Sequence, residues 1–462
     1  MTHTVPPPTP AAVIAHRADK RAAMLKSGAI IPTLLLLTLP NLIALGSSAV
    51  VSIAETAYVG RIGVAALGGI ALAFPIFMLM QMLSAGAMGG TISGAISRAL
   101  GAGDVDAARG LARAAVMIAV TLGLTLAALV RGFGEPIFRA LGGSGAVLDQ
   151  ALAFSNVATW AIPGIWLANT LSSILRGSGN MGVPAATLLA AGLVQVAVGG
   201  ALGLGIGPLP RLGMQGVAIG QVTAFWTATL VLSAYLGSGR ATVGLSLDAA
   251  AVRATHAAVL LRVGCVAMLS PLFSVGSVLV LTRLVAELGP EALAGYGIGV
   301  RLEFLLIPIA FSVGVASVPM VGTALGSGNL ERARNVAWTS GGLAFAVLAL
   351  IGIVIAWMPG LWANLFTDAA PVRLAAYTYL GIAGYGFGFF GLGLCLYFAS
   401  QGAGRMGGVI LAQAARFVVI VVGGTIVLGP DARAEDVFLL SAGAMIVMGL
   451  GTTLAVKIAK WR

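Results

Sequence analysis

Two carboxylates, Glu55 and Glu303, sit in stretches apolar enough to cross a bilayer. Glu55 lies near the far end of a run from Ile30 to Gly63. There Thr38, Asn41, Ser48, Ser52 and Glu55 follow one another at spacings of three, seven, four and three. At ~100° per residue they share one wedge of a helix, about 100° wide, and the remainder is apolar. Such a helix turns one face to lipid and the other to water, substrate or partner helices. A carboxylate there is costly to ionise, which suits it to taking up a proton or a small cation. The competing reading is that Glu55, about one turn from the helix end, only reaches to the interface.

Glu303 belongs to the run YGIGVRLEFLLIPIAF, about a dozen residues into its helix and so near mid-membrane. Tyr296, Gly299, Ala310, Gly314 and Ser317 share its face, a lining with room for a ligand. Glu303 could attract an organic cation or serve as a second protonation site, or it could form a structural ion pair with Arg416. Arg301, two residues away, points to a different side. Asn169 and Asn156 are either cavity residues or interhelical glue. Pro40 and four other prolines interrupt spans, as bending points or static kinks.

These residues need a membrane fold to position them. Of 462 residues, 59% are apolar and 9% charged, against about 25% charged in soluble domains. The chain is therefore read as an all-α integral membrane protein. The three histidines avoid the spans and both cysteines lie in apolar runs, which argues against disulfide scaffolds and Cys/His metal sites. A net charge of +11 reports topology and acidic headgroups, not nucleic acid.

Twelve apolar segments are expected to span, at roughly 28–57, 64–97, 110–131, 146–175, 184–206 and 214–236, then 259–284, 291–323, 335–358, 372–400, 408–428 and 437–457. ALGAGDVDAAR (99–109) recurs as ALGSGNLERAR (324–334), identical at six of eleven positions. RIGVAALGG recurs as ELGPEALAG, and RGSGNMG (176–182) as QGAGRMG (401–407), all at offsets of 225 or 226. The chain thus reads as two six-helix lobes related as a parallel repeat. Its expected divisions are a flexible cytoplasmic tail (1–27), an N-lobe (28–236), a cytoplasmic surface linker (237–258) and a C-lobe (259–462). With both termini inside, the cytoplasmic face collects seventeen Lys and Arg against seven outside, the bias expected of that topology.

In combination these motifs resemble the multidrug and toxic compound extrusion (MATE) family of the MOP superfamily. The likeness runs from Pro40 to about Arg416. It is carried by Pro40 and Glu55 ahead of VGRIG, by ISRALGAGDVDAAR, by ILRGSGNMGVP, and by YFASQGAGRMG in the second half. The resemblance implies two lobes around a central cavity, exporting organic compounds in exchange for Na⁺ or H⁺. It also aligns Gln195 and Gly199 with a family Asn-x-x-x-Asp pattern, Gln221 with a family Thr, and Glu55 with a family Asp.

The reading that follows is a secondary multidrug antiporter. Glu55, Gln195 and Gln221 would handle the coupling cation, with Na⁺ possible at Glu55 and H⁺ preferred because the second family acid is missing. Glu303, Asn41, Ser48, Ser52, Asn169 and Tyr296 would line the substrate cavity, and Pro40 and Arg416 would serve as hinge or structural residues. No cofactor and no resident metal are expected. The expected partners are small organic cations or drugs and the lipid bilayer, with the chain a monomer in a bacterial cytoplasmic (inner) membrane. The alternatives are a lipid-linked saccharide flippase, which would want a cavity rich in cationic side chains, and an intramembrane enzyme. No HExxH, paired-Asp or Ser/His constellation supports the latter.

Overall fold

A computed structural model describes residues 10–245, 253–427 and 433–461, and every regular element among them is a helix. After α1 (Pro10–Ser27), the first six spans are α2 (Ile30–Ile62), α3 (Val64–Gly101), α4 (Val105–Ala140), the pair α5 (Gly145–Ala158) and α6 (Ala161–Gly177), α7 (Gly182–Leu204) and α8 (Met214–Gly237). The second six are α9 (Ala254–Ala286), α10 (Pro290–Gly326), α11 (Leu330–Trp357), α12 (Ala370–Ala403), α13 (Gly407–Val427) and α14 (Ala434–Ile458). Eleven of these helices are each long and apolar enough to span, and α5 with α6, bent by 51° at their junction, make the twelfth.

Three expectations change. The segment 1–27 was expected to be a flexible tail, yet from Pro10 to Ser27 it is helical. The stretch after Pro10 is rich in Ala, Lys and Arg and free of glycine, and its C-terminal carbonyls find a distant cation. Arg332 of α11 donates to the carbonyls of Leu25 (Nε, 3.1 Å) and Gly28 (Nη2, 2.7 Å), satisfying acceptors that a helix end leaves open. The span 146–175 is broken at Thr159–Trp160. The linker 237–258 is already helical from Ala254, and His256 packs on Gly110 of α4. Residues 1–9 of the tail, and Asp248 with the rest of 246–252, lie outside the described residues.

The duplicated loops share one physical solution. Gly103 and Gly328 have φ of 81° and 79°, a conformation glycine adopts without strain. The next residue in each copy caps the following helix, Asp104 Oδ1 accepting from Ala107 N at 2.8 Å and Asn329 Oδ1 from Arg332 N at 2.9 Å. One apolar cluster gathers the first half, from Tyr58 to Val243, with Leu260 of α9, and another the second, including Leu281, Tyr379 and Met445. A third bridges the lobes, packing Leu34 and Leu37 of α2 with Val313–Ala324 of α10.

The lobes meet tightly at the end that carries these loops. Gly94 and Gly101 of α3 face Gln401 and Thr323, and Gly322 and Gly326 of α10 face Ser97 and Arg98, with no room for a Cβ. Small residues let membrane helices approach until backbones touch. Met82–Met88 within α3 is π-helical, and this departure from the α ladder frees carbonyls for outside donors. Gln401 Nε2 takes two of them, Gly86 O and Ala87 O, each at 3.0 Å.

Candidate functional site

A cavity of about 290 Å³ opens inside the first lobe, between α2, α3, α5, α7 and α8. The wedge on α2 supplies Ser48, Ser52 and Glu55, α7 supplies Gln195, and α8 supplies Gln221. Gln195 Nε2 donates to Glu55 Oε1 at 3.5 Å, the outer limit of a hydrogen bond. Glu55, Gln195 and Gln221, the trio expected to handle the cation, thus line one cavity. No Lys or Arg lines it, so Glu55 has an amide neighbour and no cationic one. Phe74, Phe77, Phe154 and Phe225 supply flat aromatic walls, surfaces that attract organic cations and planar rings.

Tyr58, one turn beyond Glu55, packs against α7 at position 199. Its ring lies over Gly199 and Gly200, and a Cβ at position 199 would stand 2.9 Å from the Tyr58 hydroxyl. Among the described residues that hydroxyl is buried without a hydrogen-bond partner. The phenol thus occupies the volume that a longer side chain at position 199 of α7 would need. Sequence alone offered only the shared helical face of positions 55 and 58 as a signal.

The other expected cavity residues are dispersed. Asn41 is buried, its Nδ2 donating to Leu37 O at 3.2 Å and lying 3.5 Å from Met181 Sδ, so it binds α2 to the α6–α7 turn and does not line the cavity. Asn169 sits behind the wall, its Nδ2 donating to Gln81 Oε1 at 2.7 Å and Ser84 Oγ at 2.8 Å. Gln81, which does line the cavity, was missed; a lone amide just ahead of the π-helical stretch was its only mark. Pro40 lies within the unbroken helix α2.

Glu303 and Tyr296 belong to a different cluster. The face of α10 that carries Glu303 turns to α12, where the Tyr379 hydroxyl donates to Glu303 Oε1. Tyr296 packs edge-on against Tyr379, with ring centroids 5.1 Å apart. Arg416 of α13 is buried, and its own contacts are Met448 Sδ at 3.7 Å and the Phe390 ring at 5.6 Å. Of the alternatives for Glu303, the Arg416 ion pair does not form; a tyrosine–carboxylate hydrogen bond stands in its place. Arg301 lies instead over Phe366, 5.4 Å from its centroid. Among the described residues no three His, Cys, Asp or Glu side chains gather as metal ligands.

One group of residues with a mechanical role had no chemical signature. Arg98, at the end of α3, donates through Nη1 to Gly402 O at 2.6 Å and Gln401 O at 3.3 Å. With Gln401 on the π-helical carbonyls, it clasps the two lobes at the loop end.

Comparison with known proteins agrees with this architecture. The family model MatE matches residues 40–200 and 267–426, one stretch in each half. The chain is 28% identical over 338 residues to a protein of Shewanella oneidensis named FAD transporter, spanning 72% of this chain and 74% of that one. It is also 28% identical over 353 residues to a probable multidrug resistance protein NorM of Deinococcus radiodurans, spanning 75% and 73% of the two. A crystal structure of MATE in the bent conformation superposes with a TM-score of 0.87 at 20% identity, covering 95% of this chain and 97% of that one. An outward-facing multidrug resistance MATE transporter of the MOP superfamily does so at 0.85, again at 20% identity, with coverage of 95% and 97%.

Proposed function

The chain belongs to the MatE family, and we propose that it is a secondary antiporter exporting amphiphilic organic cations in exchange for H⁺ by alternating access. The observation that carries this reading is the lining of the first-lobe cavity: one carboxylate, three side-chain amides, aromatic walls and no basic residue. A cation with a flat apolar body finds both a counter-charge and stacking partners there. The same carboxylate can hold either a proton or the cargo, and competition for one site couples the two flows.

A proton is favoured over Na⁺ by the ligand supply. A hard cation stripped of water is held best by several oxygens with more than one carboxylate among them, whereas the amides and serines beside Glu55 are neutral and position 199 adds no side-chain oxygen. The loop end is read as cytoplasmic from the Lys and Arg bias, and a clasp at that end corresponds to a cavity open to the outside. The home membrane is the bacterial inner membrane.

A second reading is export of an anionic flavin dinucleotide, favoured by the likeness to the Shewanella protein and by the aromatic walls. A pyrophosphate would, however, meet Glu55 with no cation in the cavity to balance it. The same absence weighs against a lipid-linked saccharide flippase. Family membership favours a transporter over an intramembrane enzyme.

The deciding experiment is efflux from proteoliposomes of a fluorescent cationic dye and, separately, of FAD, under an imposed ΔpH or ΔNa⁺. Dye movement that follows ΔpH and ignores ΔNa⁺ supports the proposal. Movement that follows ΔNa⁺ alone, or transport of FAD in preference to the dye, overturns it.

A further inference from the structure

A second cavity is larger than the one at Glu55. A groove of about 750 Å³ opens on the outside of the second lobe, at the loop end, between α9, α13 and α14. Its mouth carries Arg262, Arg405 and Lys460, and no carboxylate lines it. Its wall continues up the membrane-facing surface through Leu411, Leu454 and Ile458, which are 71%, 59% and 70% exposed where lipid would lie. Cations at one end and an open apolar wall at the other match a molecule with an anionic head and a hydrocarbon body.

The internal duplication supplies a control. In the first half, Asn180 stands where the second half has Arg405, in RGSGNMG against QGAGRMG. Asn180 Oδ1 accepts from Val183 N at 3.3 Å, and its Nδ2 donates to the Tyr235 hydroxyl at 3.3 Å, closing the first turn of α7. Arginine has no acceptor atom and cannot repeat this cap. At the start of α13 the first backbone bond is Ile410 N to Met406 O at 3.0 Å. The amides of Gly407, Gly408 and Val409 have no acceptor among the described residues, and all three residues line the groove. Ser400 is 1% exposed, lines the same groove, and has no side-chain hydrogen bond among the described residues. Open first-turn amides with three cations form an anion site.

We propose that this groove binds an anionic phospholipid, its phosphate held by Arg262, Arg405, Lys460 and the first-turn amides of α13, its acyl chain lying along Leu411, Leu454 and Ile458. The lipid would stand against α9, whose opposite side packs on the first lobe through Gly264 and Met88, so the site touches a helix that must shift when the lobes exchange.

The test is native mass spectrometry of the delipidated full-length protein titrated with phosphatidylglycerol or with phosphatidylcholine of the same acyl chains. Wild type should retain phosphatidylglycerol at least ten-fold better. The triple variant Arg262→Gln, Arg405→Gln, Lys460→Gln should lose on the order of 100-fold, at about five-fold per cation. Arg405→Asn, which installs the first-half residue, should lose about five-fold even if the triple variant fails to fold. Gly408→Trp, which fills the groove, should abolish retention, and Arg139→Gln with Arg283→Gln, at the other end, should leave it unchanged. Equal binding of the two lipids, full retention by Arg405→Asn, or displacement by millimolar glycerol phosphate overturns the proposal, the last by marking a free-anion site.

Discussion

Arg98, in the first half of the chain, donates from Nη1 to the carbonyl oxygen of Gly402 in the second half at 2.6 Å. This charge-assisted hydrogen bond joins the lobes at the end where glycine contacts have already brought their backbones together. A hydrogen bond to a charged group contributes about 1.5–3 kcal/mol, so Arg98→Ala should shift the balance between the two facing states by roughly 10- to 150-fold. Double electron–electron resonance between spin labels on the two lobes at that end would read the shift. An unchanged distance distribution would mean that the glycine packing alone holds the end shut.

Glu55→Gln keeps the shape of the cavity and removes its only charge. Export driven by ΔpH should fall more than ten-fold, while the melting temperature stays within a few degrees. The comparison requires equal reconstitution and a dye gradient of the same size. Full ΔpH-driven export by this variant would remove Glu55 from the mechanism.

Tyr58 and Gly199 should behave as a coupled pair. Gly199→Asp places a carboxylate against the buried phenol and should destabilise the protein by about 1–3 kcal/mol through overpacking. Tyr58→Ala in the same chain should recover most of that loss, because it vacates the contested volume. Thermal melts of the two single variants and the double variant give the coupling energy directly. Additive losses would contradict the steric account.

Glu303 is held by Tyr379 and is not among the residues lining the first-lobe cavity. Glu303→Ala leaves the buried Tyr379 hydroxyl without its acceptor, so it should cost about 1–3 kcal/mol. Glu303→Gln, which can still accept from Tyr379, should cost less and keep dye export within about two-fold of wild type. A changed order of preference among dyes in this variant would instead place Glu303 in the cargo path.

Much of this was legible in the residues. The spans followed from apolar run lengths, and the duplication from the matched ALGxGxxxxAR loops, whose left-handed glycines and capping Asp104 and Asn329 are local features. The wedge on α2 was legible in part: Ser48, Ser52 and Glu55 do reach one cavity with Gln195 and Gln221. Asn41 and Asn169 kept their helical phase, but neighbouring helices turned that phase into buried contacts. Residues 10–27, expected as a tail, are helical, and the cation at the end of that helix, Arg332, lies more than 300 residues away in sequence.

Sequence by itself determined that this chain crosses a membrane many times as a duplicated bundle, because hydrocarbon forces backbone polar groups into helices whose apolar length is written locally. Only the tertiary structure decided which polar groups meet. That Tyr58 fills the space at Gly199, that Tyr379 rather than Arg416 bonds Glu303, and that Arg98 clasps Gly402 depends on helix rotation and tilt. Those are set by side-chain packing between segments distant in the chain, where a few degrees of rotation exchange one partner for another.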